Sequence, residues 1–114
     1  MTTKRYCLAL DLKDDPALIQ KYTNYHASGK VWPEITGSIK QAGIVEMEIF
    51  LTGNRLFMII EVNESFDFHK KAQDDKNNPK VQQWENLMSK YQQQLPWASP
   101  DEKWVKMDKI FELE

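Results

Sequence analysis

The sequence predicts an α+β fold in which helices cover one face of a four-stranded antiparallel sheet. Three observations carry that reading. Stretches of strict apolar/polar alternation lie near both ends and in the middle of the chain, the mark of half-buried strands. Two helical stretches each open on an acidic or amide residue followed by proline, Asp15-Pro16 and Asn78-Pro79, which pairs a side-chain cap with a residue suited to the first helical position. Between them, Thr52-Gly53-Asn54 has the turn chemistry that joins two adjacent strands.

In chain order, residues 6–12 form the first strand, with Tyr6, Leu8, Leu10 and Leu12 on one side and Cys7, Ala9 and Asp11 on the other. After Asp14-Asp15-Pro16, the positions of Leu18, Tyr22, Tyr25 and His26 give a helix to about residue 27. Ser28-Gly29-Lys30 interrupts it, and Trp32-Pro33-Glu34 restarts a shorter helix through Ile35 and Ile39 that stops at Gly43. Residues 44–51 and 55–62 pair as the hairpin, with Val45, Met47, Ile49 and Leu51 expected inward. Ser65 is the expected cap of a helix carrying Phe66, Phe68 and Ala72. From Asn78, the residues Val81, Trp84, Leu87, Met88, Tyr91 and Leu95 form an apolar stripe at 3.6-residue spacing. Residues 95–100 are a loop, and 103–113 alternate as a closing strand. Strand, helix, strand, strand, helix, strand is the split β-α-β, or ferredoxin-like, order, and residues 1–114 are read as one domain.

Composition narrows the function. Fifteen basic against seventeen acidic residues leave a net charge of −2, without the positive field that binding a nucleic-acid backbone requires. A lone cysteine, Cys7, rules out an internal disulfide framework and fits a reducing compartment. No apolar run reaches the roughly 20 residues of a membrane span, and the short run between Arg5 and Asp11 does not make a signal peptide. Two distant histidines show no metal-ligand spacing. Ser28-Gly29-Lys30 lacks the leading glycine of a phosphate loop, and Gly-x-Ser-x-Gly is absent. Against four glycines stand four Trp, four Tyr and five Phe, residues that fill cores and also stack on ligands.

One pair carries chemistry. Tyr22 and His26 are four residues apart on the first helix, which puts them on one helix face. A histidine titrating near neutrality beside a phenol can move a proton in both directions without a cofactor. The plainer assignment is Tyr22 in the core and His26 capping the helix end. Trp84 has the same duality, as core stripe or as a face for sugar stacking, and Trp32 is either a packing residue or part of a pocket lining. The sheet face away from the helices mixes charges such as Arg5, Asp11, Glu46, Glu48 and Glu61 with Phe50, Phe57 and Ile59. That mixture suits a homodimer of two sheets packed face to face around a polar cavity, a dimeric α/β barrel.

Tyr22-x-x-x-His26, Val31-Trp32-Pro33-Glu34-Ile35, Ala42-Gly43-Ile44, the run from Asn54 to Val62, Asn78-Pro79-Lys80-Val81-Gln82-x-Trp84 and Ile110-Phe111-x-Leu113 together resemble the L-rhamnose mutarotase family over essentially the whole chain. The resemblance implies a cytoplasmic, cofactor-free homodimer that interconverts the α and β anomers of a 6-deoxyhexose. His26 then matches the family's acid/base histidine, Tyr22 the tyrosine one turn before it, and Trp84 the first of a tryptophan pair that lines the sugar pocket. Glu85 stands where the second tryptophan would be, and the interval from His26 to Trp32 is longer than in the rhamnose pattern. With Trp97 and Glu102-Lys103-Trp104-Val105, these differences look more like a sister branch associated with L-fucose. The implied site is His26 and Tyr22 for proton transfer, Trp84 and Trp32 holding the sugar, and Arg5 or a sheet-face acid such as Glu48 fixing hydroxyls. The competing expectations are a ligand-binding module of the same fold that performs no reaction, and a cofactor-free monooxygenase.

Overall fold

In the computed structural model, which describes residues 3–114, the chain runs β1 (Lys4–Leu12), α1 (Pro16–Tyr25), α2 (Pro33–Gln41), β2 (Ile44–Thr52), β3 (Arg55–Val62), α3 (Phe68–Lys76), α4 (Pro79–Ser89), β4 (Gln92–Gln93) and β5 (Val105–Lys106). All strand pairs are antiparallel, in the order β2-β3-β1-β4, and β5 also joins β1. This is the ferredoxin-like arrangement that the element order predicts.

Local chemistry sets the helix phases. Asp15 accepts from the backbone N–H groups of Ala17 and Leu18, with Pro16 next in line. Asn78 does the same for Lys80 and Val81 ahead of Pro79. Those starts turn Tyr22 of α1 and Val81, Trp84 and Met88 of α4 toward the sheet, where they are buried. One core cluster gathers Leu12, Tyr22, Ile35, Leu56, Val81, Trp84, Met88 and Tyr91. A second gathers Leu8, Ile44, Ile60 and Val62, and Ile39 and Trp104 pack against both.

Four expectations are corrected. The cap of α3 is Asp67, whose carboxylate accepts from His69 and Lys70, so Phe66 precedes the helix. Ser65 instead donates its hydroxyl to Asn63 Oδ1 at 2.7 Å. Val45 is exposed because the β2–β3 register shifts there: Ile44 opposes Val62 while Glu46 opposes Glu61, leaving Val45 as the extra residue of a bulge. Met47 and Ile49 pack inward as expected, whereas Leu51, beside the hairpin turn, is exposed. The helical stripe expected to run on to Leu95 is cut short, since α4 stops at Ser89 and Gln92–Gln93 pairs with Leu12 and Asp11. The closing strand spans only Val105–Lys106, with Met107 N–H still donating to Cys7 O at 2.8 Å. Beyond that point Ile110, Phe111 and Leu113 are highly exposed: the alternation is real, but the protomer offers these side chains no surface to pack on.

The uncovered sheet face holds a buried charge. Asp11 is 4% exposed, and Arg55 grips it through two contacts of 2.7 and 3.2 Å. The Arg55 guanidinium lies 5.2 Å from the Trp97 ring, a cation–π contact that shields the pair. Phe50, on the same face, is 52% exposed.

Candidate active site

A cavity of about 850 Å³ opens between the helices and the covered face of the sheet, with Tyr22, His26, Trp84, Met88 and Gln92 among its lining. That volume lies in the range of small-molecule sites, roughly 300–1,000 Å³.

His26 is the residue that ends α1. Its Nδ1 lies 2.8 Å from the carbonyl oxygen of Tyr22. A carbonyl only accepts, so Nδ1 carries the hydrogen and the lone pair resides on Nε2. Burial lowers the His26 pKa below its ordinary 6.5, against a smaller opposing effect of that backbone bond. The imidazole is therefore neutral at pH 7, with one defined basic nitrogen. The cap bond that the sequence offers for His26 thus also fixes its tautomer.

Tyr22 is 4% exposed and its ring stacks on His26, centroids 4.4 Å apart and planes at 30°. Burial raises the Tyr22 pKa, with the Gln92 side chain acting the other way, so the phenol keeps its proton. Gln92 Nε2 lies 3.5 Å from the phenol oxygen, a long contact that leaves the hydroxyl proton available. Trp84 presents to His26 at 5.6 Å and 67°, Trp32 meets Trp84 at 5.1 Å and 69°, and Tyr25 stands edge-on to Trp84 at 6.2 Å. The position of Trp32 follows from Pro33, which holds the residue before it in extended backbone (φ −58°, ψ 137°).

Tyr22, His26 and Trp84 thus line one cavity, while Trp32 packs behind Trp84 and is not part of the lining. Arg5 and Glu48 stand apart. Both belong to the uncovered face, where Arg5 contacts Glu61 at 3.4 Å and lies opposite it in the β1–β3 ladder, and where Glu48 pairs across to Ile59. Period-two geometry separates both from the cavity beneath the helices, and neither is in its lining. Tyr25 packs against Trp84 outside the lining, whereas Gln92 lines the cavity and was not expected to from the sequence. Glu85, noted there only as a departure from a pattern, is half-buried on the cavity wall. Its pKa is raised by burial first and by Asp75 second, while Lys103, Lys71 and Gln82 oppose the shift. No local signal marks Gln92, which lies 70 residues from Tyr22 and reaches it only through the β1–β4 pairing.

The L-rhamnose mutarotase family model matches residues 5–113. The chain belongs to the L-rhamnose mutarotase family. Among proteins similar to this family member, an L-fucose mutarotase of Xanthomonas campestris is 46% identical over 113 residues, covering 99% of this chain and 90% of that one. A UPF0734 protein of Dictyostelium discoideum is 38% identical over 118 residues, covering 97% of this chain and 90% of its own. The crystal structure of an L-rhamnose mutarotase from Formosa agariphila superposes with a TM-score of 0.70 at 26% identity, covering 97% of this chain and 99% of that one. A tetracenomycin F2 cyclase from Streptomyces glaucescens, 16% identical with a TM-score of 0.64 and 97% coverage of both chains, shares the fold. No described helix is long and apolar enough to cross a membrane.

Proposed function

We propose that this chain is a mutarotase that interconverts the α and β anomers of a 6-deoxyhexose, with L-fucose favoured over L-rhamnose. One observation carries the chemistry: the Nδ1–H bond to the Tyr22 carbonyl leaves neutral Nε2 as the single basic atom of His26, stacked beside a protonated phenol in one cavity. His26 Nε2 takes the proton of the anomeric hydroxyl as the phenol of Tyr22 gives its proton to the ring oxygen. The bond from the anomeric carbon to the ring oxygen breaks, and a carbonyl forms. Rotation about the neighbouring carbon–carbon bond presents the other carbonyl face. Both proton transfers then reverse and return each residue to its starting state. Nothing is oxidised or reduced, so the reaction requires no cofactor. Trp84 offers flat apolar surface to the C–H face of the sugar, and Trp32 backs it edge-on. The 46% identity to an L-fucose mutarotase supports the preference.

Saturation-transfer NMR between the anomers of L-fucose and of L-rhamnose tests the reading directly. The expected result is faster exchange for L-fucose than for L-rhamnose, both above the buffer rate. Exchange at the buffer rate for both sugars would leave a binding module without chemistry.

The protein in this reading is a cytoplasmic homodimer in which residues 1–114 act as one unit. Exposed Phe50, half-buried Phe57 and Ile59 on the uncovered face, and the exposed apolar residues after Met107, support association with a second copy. Light scattering at micromolar concentration should give twice the 13.5 kDa chain mass, and a monomer would contradict the assembly.

A further inference from the structure

One residue along α4 from Trp84, Glu85 places a half-buried carboxyl on the cavity wall. A carboxylate accepts up to about four hydrogen bonds, yet the contact recorded for Glu85 is a long one of 3.4 Å from Gln82 Nε2. That amide is already committed to the Asp75 carbonyl at 2.9 Å. The nearby cations are engaged elsewhere, Lys71 with both Asp75 oxygens at 2.6 and 2.8 Å and Lys103 with Ser89 Oγ at 2.6 Å. Gln92 gives an independent sign of the same kind. Its Oε1 is buried in the cavity wall with no partner among the described residues, while its Nε2 reaches toward the Tyr22 phenol. Reversing the amide would only transfer the vacancy to nitrogen. A buried polar atom left unpaired is destabilising in the free protein; Gln92 Oε1, together with a half-buried carboxyl held by one long bond on the same cavity wall, marks where a ligand rich in hydroxyls makes its bonds.

We propose that Glu85 reads the hydroxyl configuration of the sugar by accepting hydrogen bonds from its hydroxyls, with Gln92 holding a further hydroxyl beside Tyr22. This rests on the mutarotase reading above. L-fucose and L-rhamnose share the 6-deoxy methyl group and differ in configuration at C2 and C4. A carboxylate aimed at one of those hydroxyls separates the two sugars, because a site built to hydrogen-bond a hydroxyl rejects the analogue that does not offer it there. A purely apolar wall would not.

The test uses Glu85→Leu and Glu85→Gln in the full chain, with exchange kinetics and ligand-detected NMR binding for both sugars. The Leu variant should raise KM and the dissociation constant for the preferred sugar roughly ten- to hundred-fold, as loss of a hydrogen bond to a charged group implies, with a smaller change in kcat. Its preference between the two sugars should collapse toward one. Its Tm should hold or rise, because a desolvated carboxyl has been replaced by an apolar group. The Gln variant keeps one carbonyl acceptor and should fall between, and it decides the matter by the same preference ratio where the Leu variant does not fold. Wild-type preference and KM in a folded variant would overturn the proposal while leaving the mutarotase reading in place. So would a loss of kcat that merely follows a lowered Tm. A wild-type protein that neither binds nor turns over either sugar would overturn both.

Discussion

Replacing His26 by asparagine separates its two roles. The Asn side-chain amide can still donate to the Tyr22 carbonyl that Nδ1 reaches at 2.8 Å, so the cap bond, about 1 kcal/mol, is retained. What is lost is the imidazole ring, which contacts Tyr22 at 4.4 Å and Trp84 at 5.6 Å. At about 0.5–1.5 kcal/mol for each aromatic contact, the loss comes to about 1–3 kcal/mol. For a chain of this size that lowers Tm by about 4–12 °C, leaving the variant folded at room temperature. Its chemistry suffers far more. Without Nε2 there is no base at the anomeric hydroxyl, and positioned proton transfer is worth roughly 10²–10⁴-fold, or about 3–5 kcal/mol of barrier. Anomer exchange should therefore fall to near the buffer rate while circular dichroism and a thermal melt report a folded protein. A folded His26→Asn variant with wild-type exchange would refute the assignment of Nε2 as the base.

Further outcomes follow from the same geometry. Exchange should rise with pH through a value below 6.5, as His26 loses its proton, and level off through neutrality. The unfolded chain binds that proton more readily than the folded one, so His26 makes stability increase with pH between its lowered folded value and 6.5. The difference in Tm between pH 5 and pH 7.5 should shrink in His26→Asn. Tyr22→Phe should slow exchange roughly 10²–10⁴-fold while changing stability by less than about 1 kcal/mol, because the phenol's bond to Gln92 is a long 3.5 Å; unchanged exchange would remove the phenol from the mechanism. Gly43→Ala should destabilise by about 1–3 kcal/mol in urea melts: φ is +100° and a Cβ would stand 2.5 Å from Asn63 Oδ1. Phe50→Asp should halve the mass seen by light scattering and leave the cavity intact.

What was legible in the sequence was what local rules govern. Asp15-Pro16, Asn78-Pro79 and the Gly53 turn act within a few residues, so α1, α4 and the β2–β3 hairpin follow from composition and spacing. Tyr22 and His26 are legible for the same reason, one helical turn being a local distance. Arg5 and Glu48 show the limit. Alternation correctly puts them on one face of a strand, but does not say that the cavity beneath the helices lies on the other. Gln92 and Glu85 lie further out of reach. Their significance depends on which partners they lack, and that emerges only when α1, α4 and β4 are assembled. The short closing strand is a related case, because alternation in residues 103–113 records a tendency to pair and not the presence of a partner.

The fourth strand is built in two pieces, and that has an evolutionary consequence. Gln92–Gln93 and Val105–Lys106 occupy consecutive stretches of the same edge of β1, opposite residues 11–12 and 8–9. The chain between them is an excursion that leaves the ladder and re-enters it in register. Gln94 ties it into a closed unit, its amide nitrogen lying 3.1, 2.8 and 2.9 Å from the carbonyls of Ser99, Pro100 and Glu102. Asp101, Lys103 and Trp104, near its far end, wall the cavity. Lengthening such a loop adds little closure entropy, about 0.6 kcal/mol per doubling. Its exposed tip at residues 99–101 can therefore change length at little cost to the strand pairing, while Leu95 and Trp104 anchor its two ends in the core. Under the mechanism proposed above, that tip is a cassette through which substrate range can drift while Tyr22 and His26 stay fixed.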